Sequence, residues 1–280
     1  MSFDAAQHET ARASLGSRID GEFDVAATLD ALAKGEPVAV ASIDYVRAVV
    51  FGEILHFAVA GRFDSIQKHH RLGQFYEEQE LALIRGAFPI GGVFLDIGAN
   101  VGNHALFAAK FLHAARVIVV EPNPEACRYL VANVLMNGFE RQIDLSRIGV
   151  ALSDAAAEGC SVRVPRRNLG GARLSATGGS IIAVRGDDLL RDVDPDFVKI
   201  DVEGMEIKVL AGLSDMIARC RPRLFVEVDD GNADAFADWC ATNGSRIKAR
   251  FRRYKTNENY LVQPRRQRKP VSAAAGGSAS

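Results

Sequence analysis

The sequence predicts an α/β fold of the doubly wound, Rossmann-like kind, and three observations predict it. Short apolar segments alternate with helical ones from residue 93 onward. A glycine-rich turn joins the first such segment to its helix, and acidic residues stand where two of the segments end. Parallel strands covered on both faces read as continuous apolar runs, which is what these segments show.

Taken in order, residues 1–35 form a polar, weakly patterned arm with a short helix expected over 23–34. Strands are expected over 37–43 and 54–60, rich in valines and aromatics, with Gly52 between them. Over 76–87 Leu81 and Ile84 fall near helical spacing with glutamates around them, and Pro89 and Gly91-Gly92 stop the helix. Residues 36–88 are thus read as an N-terminal cap element ahead of a main domain at 89–264. There the expected strands are 93–96, 117–121, 146–152, 197–201 and 224–228. The helices between and after them are expected at 103–112, 124–137, 205–213 and 233–242. A basic and then Ala-Gly-Ser tail, 265–280, closes the chain.

With 48% hydrophobic and 25% charged residues, wholesale disorder is excluded. A net charge of −1 argues against a dedicated nucleic-acid binder. No apolar run approaches the roughly 20 residues of a membrane span, and no secretory signal is read at the start, so a cytoplasmic location is expected. Cys127, Cys160, Cys220 and Cys240 are too widely spaced for a CxxC motif and are read as reduced thiols. Residues 246–270 carry ten basic side chains against one acidic, a local charge of +9 that leaves −10 for the rest. Such a run is a solvated face, or it suits an anionic acceptor or a lipid-linked one at a membrane surface.

The turn Asp96-Ile97-Gly98-Ala99-Asn100-Val101-Gly102-Asn103 carries the most information. Glycines there let backbone approach a ligand, and Glu121, 23 residues after Gly98, stands where an acidic group accepts from ribose hydroxyls. A dinucleotide fingerprint would have glycine at position 100, against the pyrophosphate; here Asn100 has a side chain in that place. Asp96 would repel a pyrophosphate but suits an ammonium group. S-adenosylmethionine, with adenosine, an α-amino group and no phosphate, fits both departures. An ordinary strand-to-helix turn whose Asp and Asn cap backbone is the plainer alternative.

These residues resemble a known family. The segments 96–102, Val120-Glu121-Pro122-Asn123 and Val198-Lys199-Ile200-Asp201-Val202-Glu203-Gly204 together resemble the FkbM family of S-adenosylmethionine-dependent methyltransferases. Phe75-Tyr76-Glu77-Glu78, Ala151-Leu152-Ser153-Asp154 and Asn257-Glu258-Asn259-Tyr260-Leu261 extend the resemblance over roughly residues 55–263. It implies a class I methyltransferase fold, a seven-stranded sheet with the last strand antiparallel. It also implies methyl transfer, usually to a hydroxyl oxygen, with acceptors as varied as polyketides and sugars. Asn168-Leu169-Gly170-Gly171 stands where the family carries a loop over its active site.

On this reading the cofactor is S-adenosylmethionine, held by Glu77, Asp96, Gly98, Ala99, Asn100, Gly102, Asn103, Glu121, Pro122, Asn123 and Asp154. Asp201 or Glu203 is the expected base, at the carboxyl end of the fourth strand where open α/β sheets bind ligands. The alternatives are that both cap the following helix, that Glu77 to Glu80 is a solvated helix start, and that Asp154 caps a turn. His69-His70 lack metal-ligand spacing and are read as a solvated pair; no metal is expected, although Asp201 leaves a small opening for one. His104 either faces the site or packs at a helix start. The expected partner is a small-molecule or glycan hydroxyl acceptor, not nucleic acid. A nicotinamide-dependent oxidoreductase and a non-catalytic binding module on the same fold are the competing functions.

Overall fold

The computed structural model describes residues 23–40, 43–59, 64–163 and 171–265. The expected arm before residue 23, the tail from 266, and Asn168-Leu169-Gly170 lie outside the described residues. The chain opens with α1 (Val25–Lys34), the hairpin β1 (Asp44–Val50) and β2 (Glu53–Val59), then α2 (Ser65–Arg71) and α3 (Glu78–Ala87). The alternating part follows as β3 (Val93–Ile97), α4 (Asn103–Phe111), β4 (Arg116–Val120), α5 (Pro124–Met136) and β5 (Ile143–Asp144). Next come β6 (Val150–Ser153), β7 (Ala157–Arg163), β8 (Arg173–Ser175), β9 (Ile181–Arg185) and α6 (Gly186–Leu189). The rest is β10 (Phe197–Ile200), α7 (Glu206–Gly212), α8 (Ser214–Cys220), β11 (Arg223–Asp229), α9 (Ala233–Thr242), β12 (Ser245–Phe251) and β13 (Asn257–Pro264).

Seven strands form the main sheet in the order β12-β13-β11-β10-β3-β4-β5. The pairs from β11 to β5 are parallel, and β13, last in the chain, runs antiparallel to both β11 and β12. Alternation within each strand builds two cores. Phe94, Phe197 and Phe225 face Leu106, Leu130, Phe57 and Ile84, whereas Leu95, Val198, Val226 and Ile200 face Leu210, Met216 and Phe236. The cap therefore shares its core with α4 and α5. Asn133 of α5 fastens it: its Oδ1 accepts from the Ala58 N–H at 2.6 Å, and its Nδ2 donates to the Val101 carbonyl at 2.7 Å.

Two expected strands fall elsewhere. The one expected at 37–43 is β1, starting at Asp44, because Phe51 and Gly52 both take positive φ (49° and 86°). That two-residue turn matches the twist of a hairpin and pairs Val50 directly with Glu53. The strand expected at 146–152 is interrupted by Gly149 (φ 83°), whose N–H donates to the Glu121 carbonyl at 2.7 Å. The main sheet's edge is thus only β5, while β6 leaves it for a second sheet of order β6-β9-β7-β8. Among the described residues no helix is long and apolar enough to cross a membrane.

Candidate active site

Register alone brings the central residues together. Val226, Ile200, Ile97 and Val120 form one row across β11, β10, β3 and β4. The next residue of each strand gives the row Glu227, Asp201, Gly98, Glu121 at the carboxyl edge of the sheet. Gly98 (φ 77°) is fixed by its neighbour, since a Cβ there would lie 1.8 Å from the Asp201 carbonyl oxygen. The turn then curls round Glu121: the Asn100 N–H donates to its Oε2 and the Asn123 N–H to its Oε1, both at 2.8 Å. A carboxylate has about four lone-pair sites, so two remain for a ligand. Burial pushes the Glu121 carboxyl up to about 7 against the pull of those two bonds. A cavity of about 70 Å³ opens here, lined by Asn100, Glu121, Pro122, Leu152 and Met205 among others.

A larger cavity, about 270 Å³, adjoins it, with Gly98, Asn100, Asp201 and Glu203 on the walls of both. Tyr76, Glu77, His104, Lys199, Glu227 and Tyr254 belong to the larger one. Asn103 secures its cap-side wall, accepting from the Tyr76 N–H at 2.9 Å and donating to the Tyr76 carbonyl at 3.0 Å. The following residue, Glu77, is held at φ 59°, and Asn100 and Glu203 are likewise left-handed at 50° and 49°. Three non-glycine residues in this region, each costing about 1–3 kcal/mol, line one cavity, the kind of clustering found at functional sites.

The cavity's electrostatics are dominated by carboxylates. Burial pushes Glu77 up to about 8, with the charges of Asp201 and Glu80 adding to it. Glu203 is pushed up to about 7 by burial and by Asp201. Glu227 is raised by burial and by the Asp201 charge, and it accepts from Asn257 Nδ2 at 2.5 Å. Lys199 is the counter-charge, its Nζ 3.2 Å from Asp201 Oδ2, 3.0 Å from the Gly98 carbonyl and 3.5 Å from Asp96 Oδ1. Burial pulls the Lys199 ammonium down, but Asp201, Asp96 and Glu77 outweigh it and leave it raised. His104 lies 3.7 Å from Glu77, and burial followed by Lys199 holds it well below its ordinary value, hence neutral. Asp201, Glu203 and Glu227 each offer an oxygen within 4.8 Å of the others, a grouping able to hold a cation among the described residues.

Of the residues picked out by sequence, Glu77, Gly98, Ala99, Asn100, Asn103, Asp201 and Glu203 line the larger cavity, and Glu121 and Pro122 the smaller. Asp96, Gly102, Asn123 and Asp154 line neither. Asp96 is fully buried beside Lys199, and Gly102 opens α4 against Leu130. Asn123 caps α5 through the Glu125 N–H, and exposed Asp154 accepts from the Ser153 hydroxyl. Three alternatives fail. Helix α7 takes no side-chain cap from Asp201 or Glu203. Glu80 is fully buried and doubly bonded to Arg253, so 77–80 is not a solvated start. His70 is not solvated either: it is fully buried, stacks on Phe57 and meets Asn103 Oδ1 at 3.1 Å, and burial lowers it to about 4.

Sequence reasoning gave no role to Lys199, Glu227, Tyr254 or Asn257. The available signals were a lysine and a glutamate within otherwise apolar strands, each of which needs a reason to be buried. The basic stretch is less free than it reads, because Arg252 pairs with Asp230 at 2.8 Å and Arg253 with Glu80.

Comparison with known proteins gives this geometry its context. A family model described as the methyltransferase FkbM domain matches residues 96–254. The hexuronic acid methyltransferase AglP of Haloferax volcanii is 26% identical over 177 residues, covering 61% of this chain and 71% of that protein. The AMB antimetabolite synthetase AmbE of Pseudomonas aeruginosa is 28% identical over 214 residues, covering 58% of this chain and 10% of that protein. Among solved structures, methyltransferase FkbM from Methylobacillus flagellatus superposes with a TM-score of 0.47 at 18% identity, covering 72% of this chain and 56% of that one.

Proposed function

The chain belongs to the FkbM methyltransferase family, its methyl donor is therefore S-adenosylmethionine, and from that premise we propose that it methylates a hydroxyl oxygen of a sugar or related polyhydroxyl small molecule. Family membership sets aside the nicotinamide-dependent alternative. The observation that carries the proposal is the wall shared by the two cavities: Asp201 and Glu203 stand where a donor in one would meet an acceptor in the other. The likeness to a hexuronic acid methyltransferase supports a sugar as acceptor.

The residues fit the donor. Glu121 keeps lone pairs for two ribose hydroxyls, and Pro122 and Leu152 give the small cavity apolar surface suited to a base. Glu77 suits the α-amino group; an ammonium beside it would draw its raised carboxyl back to the ionised form. When bound, S-adenosylmethionine supplies a methyl group on a positively charged sulfur. The chain's own part is to align the hydroxyl with that methyl, worth roughly 7–11 kcal/mol of the barrier, and to accept the hydroxyl proton, worth about 10²–10⁴-fold. Asp201 or Glu203 takes the proton, and a protonated Glu227 donates to a neighbouring acceptor oxygen.

The test is calorimetric titration with S-adenosylhomocysteine, then turnover of glucuronic acid and of methyl glucoside with a deuterated methyl donor, the product located by NMR. A label on a hydroxyl oxygen supports the proposal. A label on the carboxylate of glucuronic acid, or on nitrogen or carbon in a wider acceptor panel, would sink the hydroxyl reading. Binding without turnover of any acceptor would favour a non-catalytic module.

A further inference from the structure

Glu77, Asp201, Glu203 and Glu227 line the larger cavity. The charges of Lys199, Arg253 and Arg173 reach these groups, but each cation is already engaged. An ammonium has three hydrogens, and Lys199 faces three acceptors, the Gly98 carbonyl, Asp201 Oδ2 and Asp96 Oδ1. Arg253 is bonded to both carboxylate oxygens of Glu80. Arg173, its side chain 60% exposed, pairs with Asp229 at 2.9 Å and reaches Glu203 only at 3.9 Å. Among the described residues no lysine or arginine pairs with Glu77 or Glu227. The donor's α-amino group suits Glu77, which leaves Glu227.

The surroundings of Glu227 are rich in hydrogen-bond acceptors. Asn257 Nδ2 donates to its Oε1 at 2.5 Å and Asn259 Nδ2 approaches its Oε2 at 3.4 Å, both asparagines being buried. Asn257, only 7% exposed, lines the same cavity, and its Oδ1 has no hydrogen-bond partner. A buried amide oxygen in that state costs free energy until a donor reaches it. This wall therefore offers a carboxylate and an adjacent amide oxygen, and it suits a ligand that brings hydrogens and positive charge. Tyr254, 37% exposed, adds an aromatic face to the cavity, suited both to the C–H face of a sugar ring and to a cation.

Resting on the methyl-transfer reading above, we propose that the acceptor is a cationic amino sugar: Glu227 and the Asn257 amide oxygen hold its protonated amine, and a hydroxyl on the neighbouring carbon takes the methyl group. Oxygens of Asp201, Glu203 and Glu227 lie within 4.8 Å of one another, so the amine can rest on Glu227 while the hydroxyl meets Asp201 or Glu203. The held nitrogen, carrying its proton, has no lone pair and cannot take the methyl group. A lone pair of the neighbouring hydroxyl oxygen forms the new C–O bond, and the methyl–sulfur bond breaks with its electron pair going to sulfur. The hydroxyl proton passes to Asp201 or Glu203. With an uncharged acceptor Glu227 keeps the proton that burial and the Asp201 charge favour, whereas an ammonium draws it to the ionised form. An acidic sugar would instead set its own carboxylate against this wall.

The experiment is calorimetric titration at neutral pH, with S-adenosylhomocysteine saturating, of methyl glucosaminide, methyl N-acetylglucosaminide, methyl glucoside and glucuronic acid. The glucosaminide is expected to bind about tenfold or more tighter than the glucoside, the gain from charge-assisted hydrogen bonds, and glucuronic acid should bind weakest. N-acetylation keeps the ring and removes the charge, so it should abolish the advantage with no change to the protein. Glu227→Gln should remove most of the advantage and Asn257→Ala part of it. Equal affinity for the four probes, no binding of any, or preference for glucuronic acid would overturn the proposal. So would manganese that binds the protein alone, followed by electron paramagnetic resonance, and that the glucosaminide does not displace, since a metal ion would then hold the wall. Failure of wild type to bind S-adenosylhomocysteine sinks the methyl-transfer premise instead, whereas binding of it with no preference among the sugars sinks only the amino-sugar assignment.

Discussion

The two cavities that meet at Asp201 are built by different means. The smaller one is framed by backbone: the turn after β3 curls round Glu121 through main-chain N–H groups, and apolar side chains of β6, β7, β8 and the 201–205 segment close the wall. The larger one is side-chain chemistry gathered from separated segments, among them Tyr76-Glu77, Asn103-His104, Lys199 to Glu203, Glu227, and Tyr254 to Asn257. A site of the first kind tolerates change around it so long as the turn survives. A site of the second kind depends on register and on long-range ties, so its failures should be more varied.

The sharpest test of that contrast removes one of the two carboxylates common to both walls. Asp201→Asn keeps the shape and still leaves Lys199 paired with Asp96. Turnover is expected to fall about 10²–10⁴-fold through loss of the base, while S-adenosylhomocysteine affinity changes by less than about tenfold, or 1.4 kcal/mol. Steady-state kinetics beside calorimetry gives both numbers. Equal losses in rate and affinity would mean that the two cavities are not separable.

This contrast also explains what the sequence revealed. The turn, Glu121 and the 197–204 segment were legible because their meaning is contained in a few consecutive residues with a fixed order of strand, turn and helix. Glu227 and Asn257 were visible only as polar residues in apolar strands, because their meeting depends on β13 returning antiparallel beside β11. His70 and Glu80 were misread for a related reason. Adjacent histidines and a run of glutamates read as solvated, and only the packing of the cap against Phe57, Asn103 and Arg253 buries them. Strands β7 and β8 left almost no trace, since they are half-exposed with little apolar pattern, and the short apolar run of β9 carries no signal of its own.

The long-range ties of the larger cavity give the next prediction. Arg253 reaches from the segment between β12 and β13, which supplies Tyr254 and Thr256 to the wall, to Glu80, whose carboxylate is fully buried. Arg253→Met leaves that charge unpaired, a loss expected to cost about 3–5 kcal/mol. Chemical denaturation would register it, and adding Glu80→Gln should recover most of it. S-adenosylhomocysteine affinity, measured where the variant is still folded, should change little. A stability loss unaffected by Glu80→Gln would show that Arg253 acts by packing on Tyr76 and Phe251 instead.

On the other side of Asp201, Glu121→Gln should weaken S-adenosylhomocysteine binding by about 1.5–3 kcal/mol, the range for hydrogen bonds to a charged group. Turnover at saturating donor should stay near wild type, the reverse of Asp201→Asn. The amide can still accept one backbone N–H but not both, so some of the loss will come from a less ordered turn. A rate loss larger than the affinity loss would mean that Glu121 reports on the reacting centre after all.

The smallest expected effect separates the cavities by pH in the ligand-free protein. Glu121 is raised to about 7, and Glu77 on the larger cavity to about 8, both mainly by burial. A carboxyl raised in the fold keeps a proton that the unfolded chain loses near its ordinary value of 4.5. Its contribution is therefore fully present below that value and lost as pH climbs through the folded one. His70, lowered by burial from 6.5 to about 4, works oppositely: its contribution is present above 6.5 and lost as pH falls toward 4. The raised carboxyls, joined by Glu203 and Glu227, outnumber the buried histidines His70 and His104. Melting temperature should thus decline from about pH 5 to about pH 8. Glu121→Gln should flatten that decline up to about pH 7 and Glu77→Gln up to about pH 8. Saturating S-adenosylhomocysteine should reduce it as well, because its ammonium group would neutralise Glu77. A Glu77→Gln slope identical to wild type would mean that Glu77 is already ionised in the ligand-free protein, and the ammonium of the donor would then meet a standing negative charge there and leave the slope unchanged.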